Sequence, residues 1–142
     1  MKIQQLSVFL ENKPGQLRQA CRLLADEGIN ILTLSLADTK QFGLLRLIVA
    51  DWERARAVLE HNGYVVNLTE VLAVEVPDRP GGLAELLEPI EQAGLNVEYM
   101  YAFTASRGDK AVLVFRFDNP DAAIGTLQNA GINVLNAVAL YK

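Results

Sequence analysis

The chain is poor in the two residue types that most often build metal and nucleophile sites, with one cysteine, Cys21, and one histidine, His61. A single cysteine cannot form an internal disulfide, and a zinc cluster needs several cysteine or histidine ligands. A catalytic Ser/His/Asp or Cys/His set could be built only around His61. We therefore expect no metal site, no cofactor and no catalytic residue, and the sequence predicts that the protein is not an enzyme.

The chain also lacks an excess of positive charge and a long apolar run. It has 13 Lys and Arg residues against 17 Asp and Glu residues, so its formal net charge is −4. No cluster of basic residues reaches five, and a nucleic-acid partner is not expected because binding to phosphates usually needs a basic patch. No run of about 18 apolar residues is present. We expect a soluble, cytoplasmic protein with no membrane partner.

What the sequence does contain is an internal repeat. Asn12-Lys13-Pro14-Gly15-Gln16-Leu17 returns 66 residues later as Asp78-Arg79-Pro80-Gly81-Gly82-Leu83. Gly28-Ile29-Asn30-Ile31 returns with the same offset as Gly94-Leu95-Asn96-Val97. A chain of 142 residues fits two domains of about 70 residues, and a repeat of this period indicates two copies of one supersecondary unit.

Both copies show the same order of predicted elements, β-α-β-β-α-β. Alternating apolar residues predict strands, apolar residues at helical spacing follow each Pro-Gly, and Asp51 and Asp118-Asn119 mark the starts of the second helices. The sequence therefore predicts an α+β protein, with two ferredoxin-like βαββαβ units in tandem at residues 1–68 and 69–142. Each unit is an antiparallel four-stranded sheet with helices on one face. The predicted strands are 5–10, 30–38, 44–50 and one within 64–67, then 71–76, 96–104, 111–117 and one within 132–141.

The pattern also predicts side-chain environments. Strand parity places Leu32, Leu34 and Leu36 on the helix side of the second strand. The opposite face then carries small residues in the first copy and aromatic residues in the second, namely Thr33, Ser35 and Ala37 against Tyr99, Tyr101 and Phe103. Cys21 is expected to be a buried, inert thiol, and Pro89 is expected to kink or shorten its helix.

These motifs resemble the ACT domain, a small-molecule-sensing module of amino-acid metabolism. The resemblance rests on the repeated D/N-x-P-G-x-L turn, the helix that ends in glycine, and the Asn-aliphatic start of the second strand. It covers essentially the whole chain, as a tandem pair without a catalytic domain. It implies regulation by a free amino acid, held at the interface between paired ACT units. An enzyme or transporter is the possible target.

In the family, pockets lie between the first strand-to-helix loop of one unit and the start of the second strand of its neighbour. The matching ligand-binding positions here are Asn12, Pro14, Gly15, Gln16 and Leu17 with Asn96, Val97 and Glu98, and Asp78, Pro80, Gly81, Gly82 and Leu83 with Asn30, Ile31 and Leu32. Amides at a helix N-terminus attract a carboxylate, and glycine allows close approach. We favour the site with Asp78, Gly81 and Gly82, because the extra glycine exposes more backbone.

Simpler roles stay open for several of these residues. Asn12 and Asp78 could cap the helices that follow them, and Asn30 and Asn96 could only complete the loops after the glycine stops. The alternative function is a ligand-independent interaction module that docks as a regulatory subunit on a metabolic enzyme or transporter. An exposed sheet edge favours a homodimer.

Overall fold

A computed structural model of the chain describes residues 1–39, 41–104 and 107–141, with only the backbone described for Thr39 and Val138. The elements in chain order are β1 (Ile3–Glu11), α1 (Gln16–Asp26), β2 (Thr33–Thr39), β3 (Phe42–Ile48), α2 (Trp52–His61), β4 (Val65–Pro77), α3 (Gly82–Gln92), β5 (Val97–Ala102), β6 (Lys110–Phe117), α4 (Pro120–Asn129), β7 (Val134–Leu135) and α5 (Ala137–Leu140). The chain divides into two compact units. The first unit is Gln4–Thr69, and the second unit is Met1–Ile3 with Glu70–Lys142.

Each unit has the predicted ferredoxin-like sheet. The strand order is β2-β3-β1-β4 in the first unit and β5-β6-β4-β7 in the second. The described pairings are antiparallel, for example Val8 opposite Leu45 and Leu72 opposite Phe115. The predicted α+β fold of two βαββαβ units is confirmed.

Helices α1 and α2 lie on one face of the first unit's sheet, and α3 and α4 lie on one face of the second unit's sheet. In the first unit, Leu6, Val8 and Leu10 of β1 pack with helix residues such as Leu24 and Leu59. In the second unit the same arrangement joins strand and helix side chains including Leu72, Val74, Phe115, Phe117, Leu86, Ile90 and Leu127. The strand alternation read from the sequence therefore identified the core face correctly.

The ends of the units differ from the prediction. The predicted strands 64–67 and 71–76 are one continuous strand, β4, because Leu68, Thr69 and Glu70 include neither Gly nor Pro that would interrupt it. The predicted last strand within 132–141 shrinks to the two residues of β7. Helix α5 follows at once, and its Asn136 side chain accepts a hydrogen bond from the Ala139 amide, which caps the helix N-terminus.

The predicted second and third strands agree with β2, β3, β5 and β6 in order and differ by a few residues at their ends. Asn30 and Asn96 lie just before β2 and β5. The predicted turns 39–43 and 106–110 include positions 40 and 106, which lie outside the described residues.

Two leucines of β2 lie on the predicted face but in an unexpected environment. The register places Leu34 opposite Leu47 and Leu36 opposite Leu45, so both share the helix side of the sheet. Their side chains are nevertheless 40% and 50% exposed, because β2 is the last strand in its sheet order. Parity fixes the face of a side chain, but not whether a helix covers it.

The prediction that Cys21 is buried is wrong, and the structure also bears on the length of the helix that contains Pro89. Cys21 is half-buried, because it lies at the side of the α1 stripe whose buried residues are Ala20 and Leu24. Pro89 lies inside α3 without shortening it, since α3 and α1 both have 11 residues. The Pro89 carbonyl still accepts the Ala93 amide, and the predicted kink stays a prediction.

Candidate functional site

The two Pro-Gly turns have the same described backbone hydrogen bonds. In the first unit, the Lys13 amide donates to Glu11, the Gln16 amide to Lys13, and the Gln19 amide to Gly15, at 2.9, 3.4 and 3.0 Å. In the second unit, the corresponding bonds run from Arg79 to Pro77, from Gly82 to Arg79 and from Glu85 to Gly81, at 3.0, 3.0 and 2.9 Å. The repeated sequence therefore encodes the same turn twice.

Gly15 and Gly81 are the N-cap residues of α1 and α3. Their φ angles of 89° and 85° lie in the left-handed region that favours glycine. Both N-cap residues are glycines and make no side-chain capping bond, and the capping roles of Asn12 and Asp78 stay predictions. The backbone amides of Asn12 and Asp78 donate to the carbonyls of Gln41 and Asp109, which lie at the tips of neighbouring hairpins.

The amides that follow each glycine are available to a ligand. Among the described residues, the amides of Leu17 and Arg18 in α1 donate no backbone hydrogen bond, and neither do those of Leu83 and Ala84 in α3. The first amides of any helix lack an intrahelical acceptor and form the positive end of the helix dipole. Both turns can therefore receive a carboxylate group.

The turn of the first unit is open. A Cβ atom placed on Gly15 would meet no atom within 4 Å, and the side chains of Gly15's neighbours Asn12 and Leu17 are exposed. The first turn of α1 contains no acidic residue. Lys13 forms an ion pair with Glu11 at 2.9 Å beside the turn. Within the first turn of α1 no acidic side chain opposes an anion, and Lys13 offsets the charge of the nearby Glu11 carboxylate.

The turn of the second unit has different protein groups around it. A Cβ atom on buried Gly82 would overlap the Pro77 carbonyl oxygen, so glycine is needed there for packing of α3 against the end of β4. Glu85 lies in the first turn of α3 and receives two bonds from Arg79, at 3.3 and 2.9 Å. The extra glycine therefore faces protein, and a carboxylate already lies beside this helix N-terminus.

The starts of β2 and β5 have mixed environments. Ile31 and Val97 pack against the cores of their units, while Asn30 is exposed and Leu32 is half-buried. The Asn96 amide donates to the Asp118 carboxylate at 3.1 Å, and the Asn96 carbonyl accepts the Asp118 amide. The pair therefore completes the loop before β5.

Glu98 has a partner of its own. It accepts a hydrogen bond from Arg116 at 3.1 Å, and it lies where the pairing of β5 with β6 shifts register between Val97 and Tyr99. The same Arg116 side chain donates to the Glu70 carbonyl at 2.9 Å. A ligand ammonium group would have to share the Glu98 carboxylate with this guanidinium group.

A single unit does not bring its own turn and its own second-strand start together. The turn lies before α1 and Asn30 lies after it, so an 11-residue helix of about 16 Å separates them. The same holds for the turn before α3 and Asn96 after it. The combined pocket implied by the family resemblance uses neighbouring units, and it stays a prediction.

The sequence reasoning missed Arg79 and Glu85 as determinants of the second turn. The sequence does show two opposite charges six positions apart, on either side of Pro80-Gly81. Such charge pairs are common on protein surfaces, so the pattern does not identify a contact. It also missed Gly82 as a packing residue. That role depends on the Pro77 carbonyl, whose approach is set by the fold.

Titratable groups with shifted pKa values lie away from the turns. The pKa of Lys2 is raised by hydrogen bonds and charge interactions with Asp121 and Glu70, whose carboxylates lie 3.2 and 3.3 Å from its ammonium group. Burial raises the pKa of Tyr64 and of Tyr141, because it disfavours the phenolate.

The part of the chain that the structure describes offers neither a metal centre nor a membrane-spanning helix. No group of three or more His, Cys, Asp or Glu side chains could hold a metal ion. None of the described helices has the length and apolar character needed to cross a membrane.

Comparison with known proteins adds family and fold information. A family model described as an ACT domain pair matches residues 1–140. The crystal structure of protein BT0572 from Bacteroides thetaiotaomicron is 39% identical, with a TM-score of 0.93, over 100% of this chain and 97% of that one. No curated protein matches the chain.

Two more distant structures share the fold. The ligand-free regulatory subunit of aspartate kinase from Thermus thermophilus is 17% identical, with a TM-score of 0.64, over 89% of this chain and 91% of that one. The regulatory subunit of aspartate kinase from Thermus flavus is 15% identical, with a TM-score of 0.63, over 98% and 92%.

Proposed function

Because the chain belongs to the ACT domain pair family, we propose that it is a regulatory protein that binds a free amino acid, whose carboxylate binds at the N-terminus of α1. The observation that carries this proposal is the open turn of the first unit. Gly15 has free space around it, and the Leu17 and Arg18 amides donate no described backbone bond. Amides that point out of a helix N-terminus bind carboxylates well.

The first turn is a better carboxylate site than the second for electrostatic reasons. The first turn of α1 has no acidic residue, whereas α3 carries Glu85 there. Arg79 offsets the charge of Glu85, but its two guanidinium bonds are then directed to that carboxylate and not to a ligand. Asn12, next to the first turn, has a side-chain oxygen that could accept a hydrogen bond from the ligand ammonium group.

We propose that the protein acts by binding and not by catalysis. The comparable structures named as regulatory subunits of aspartate kinase support the fold, and at 17% and 15% identity they do not identify a target. A ligand that binds one conformation of the chain more tightly raises the population of that conformation. An enzyme or transporter that recognises this conformation is the target class we propose.

The test is thermal unfolding of the full chain with each common amino acid in turn. A ligand at about 100 times its Kd adds roughly 2.7 kcal/mol of stability, which raises Tm by several degrees for a chain of this size. We expect one amino acid, or a small related group, to raise Tm. A panel in which no amino acid raises Tm of the folded protein would contradict the proposal.

Matched glycine variants localise the site. Gly15→Ala, Gly28→Ala and Gly81→Ala each place a side chain at a left-handed residue, which costs about 1–2 kcal/mol in every case. We expect only Gly15→Ala to reduce the ligand-induced rise in Tm. An equal loss in Gly28→Ala would assign the effect to general destabilisation, and a loss only in Gly81→Ala would move the site to the second unit.

The alternative function, a ligand-independent docking subunit, is favoured by one observation. Leu34 and Leu36 are 40% and 50% exposed on the edge strand β2, where they offer apolar area to a partner protein. If this function is correct, no amino acid shifts Tm, and Leu34→Ser with Leu36→Ser abolishes association with the target while leaving the fold intact. The thermal panel separates the two functions before any target is known.

A further inference from the structure

The strand order places β2 at one end of the first unit's sheet and β5 at one end of the second unit's sheet. Each of these edge strands has one described neighbour, which is β3 for β2 and β6 for β5. β2 has seven residues and β5 has six, so the edges are of similar length. The outer N–H and C=O groups of an edge strand can pair with a strand of another molecule. Both sheets can therefore be extended at these edges.

One side of α1 faces the edge at β2. In the second unit, Gly82 and Pro89 of α3 line a cleft together with Ile132, which follows α4, so this side of α3 faces the end of α4. The equivalent side of α1 faces α2, because the 66-residue repeat relates the two units. Since α1 leads from β1 to β2 and α2 leads from β3 to β4, the opposite side of α1 lies toward β2. That side carries Leu17, Arg18, Cys21, Arg22 and Ala25.

The two edges differ in exposed apolar surface. Leu34 and Leu36 of β2 are 40% and 50% exposed on the helix side of the first sheet. Their equivalents in β5 are Met100, which packs against the core of the second unit, and the small residue Ala102. Burial of exposed leucine side chains is favourable, so the β2 edge gains stability when another strand covers it. The small side chain of Ala102 allows a leucine to approach the β5 edge.

The helices beside the two edges carry opposite charges. α1 has Arg18 and Arg22 on the side toward β2, whereas the equivalent side of α3 has Glu88 and Glu91. All four of these residues are exposed. Arg22 forms an ion pair with Asp26 of its own helix at 3.2 Å, and an exposed pair of this kind contributes little to stability. The α1 edge is therefore basic, and the α3 edge is acidic.

We propose that the chain associates with a second copy of itself, with β2 and α1 of one copy against β5 and α3 of the other. Antiparallel pairing of β2 with β5 also makes α1 antiparallel to α3 of the second copy, because each helix runs opposite to the strand that follows it. The N-terminal half of α1 then faces the C-terminal half of that α3. Arg18 lies beside Glu91 of the second copy, and Leu34 and Leu36 pack near Met100 of the second copy.

Pairing of like edges lacks this complementarity. Two α3 helices would bring Glu88 and Glu91 of both copies to one junction, and two α1 helices would do the same with Arg18 and Arg22. Like charges across an interface are unfavourable. A junction of unlike edges leaves one edge of each kind free, so the copies close into a ring or continue into a longer assembly. The association does not depend on the amino-acid site proposed at α1.

Paired charge reversals test the proposal, with the mass of the full chain measured by sedimentation equilibrium in the absence of amino acids. The unchanged chain is expected to associate with Kd at or below about 10 µM. Arg18→Glu alone and Glu91→Arg alone each place like charges at the junction and are expected to weaken association at least about tenfold. An equimolar mixture of the two variants is expected to regain full association, because every junction between the two variants joins opposite charges.

Two further variants control for effects on the fold. Leu36→Lys places a charge on the edge strand and is expected to abolish association. Phe9→Lys changes a side chain that is 43% exposed on β1, away from the edge, and is expected to leave the mass unchanged. Circular dichroism shows whether both variants are folded.

Four outcomes would overturn the proposal. A chain that stays monomeric would leave the β2 edge to a different protein. Unchanged association in Arg18→Glu or in Glu91→Arg would exclude a junction of unlike edges. A mixture of these variants that does not associate would show that residues 18 and 91 of different copies do not meet. Equal loss of association in Leu36→Lys and Phe9→Lys would place the interface elsewhere.

Discussion

The two Pro-Gly turns share every described backbone bond, yet they differ in what their surroundings allow. Gly15 is open to solvent and the first turn of α1 has no acid, whereas Gly82 packs on the Pro77 carbonyl and Glu85 lies in the first turn of α3. Duplication has preserved the backbone and changed the chemistry around it. Equivalent motifs in one chain therefore do not imply equivalent sites.

The two units also differ in the segments that follow their second helices, α2 and α4. After α2 the chain continues through Tyr64 into the long strand β4, while after α4 it passes Ile132 and reaches the two-residue β7. The second unit thus has the smaller side chain of Ile132 at the place of Tyr64, and a cleft lies beside Ile132.

The largest difference between the two turns is expected at Gly82. Gly82→Ala places a methyl group against the Pro77 carbonyl, and backbone at both ends leaves little room to relax, so we expect a loss of about 3 kcal/mol in the free energy of unfolding. Chemical denaturation measures it. The matched change Gln16→Gly in the first unit should cost only about 0.5–1 kcal/mol, and equal costs would contradict the packing role of Gly82.

A second comparison concerns buried hydroxyl groups. The Tyr64 hydroxyl is buried and has no hydrogen-bond partner among the described residues, so Tyr64→Phe should raise stability at neutral pH by about 1–2 kcal/mol. Tyr141→Phe serves as the control in the second unit and should change stability less. Denaturant midpoints of the two variants at pH 7 test this, and a destabilised Tyr64→Phe protein would contradict it.

The same tyrosine has a pH signature. Burial raises the pKa of Tyr64 in the folded chain above its unfolded value of 10.0, so the unfolded state releases this proton first as pH rises. The corresponding stability is fully present below pH 10 and is lost as pH rises through the folded pKa. Tyr64→Phe should therefore reduce the loss of stability measured above pH 10.

The smallest expected difference in stability concerns the N-cap residues of α2 and α4. Asn119 caps α4 by accepting the Ala122 amide at 3.1 Å, so Asn119→Ala should cost about 1 kcal/mol. Asp51 is the N-cap of α2 but makes no capping bond, and its exposed ion pair with Arg54 contributes little. Asp51→Ala should cost about 0.5 kcal/mol or less in thermal unfolding, and a larger cost than for Asn119→Ala would show that the caps are misassigned.

Much of the fold could be predicted from local patterns. The alternation of Leu6, Val8 and Leu10 identified the core face of β1, and the glycines that end the helices, including Gly28 and Gly94, have the positive φ angles expected of helix stops. The end of the second unit could not be predicted in this way. Apolar residues near Val134 suit a strand and a short helix equally well.

The candidate site was predictable to a smaller extent. The backbone of both turns followed from Pro and Gly at fixed positions, but the preference for Gly81 and Gly82 rested on the glycine count alone. The carbonyl that Gly82 contacts and the guanidinium group that holds Glu85 lie at distances that no local pattern specifies. These contacts now favour the turn at Gly15 for the proposed carboxylate site.

Local patterns in the sequence were enough to predict that this protein repeats one βαββαβ unit and forms the same glycine turn twice. They were enough because backbone angles and side-chain periodicity depend on residues close together in the chain. Three features could be seen only in the folded chain. Gly82 is a packing residue, Leu34 and Leu36 are exposed, and a cleft lies beside Ile132. Burial and free space depend on atoms that approach from distant positions, and those approaches exist only once the chain is folded.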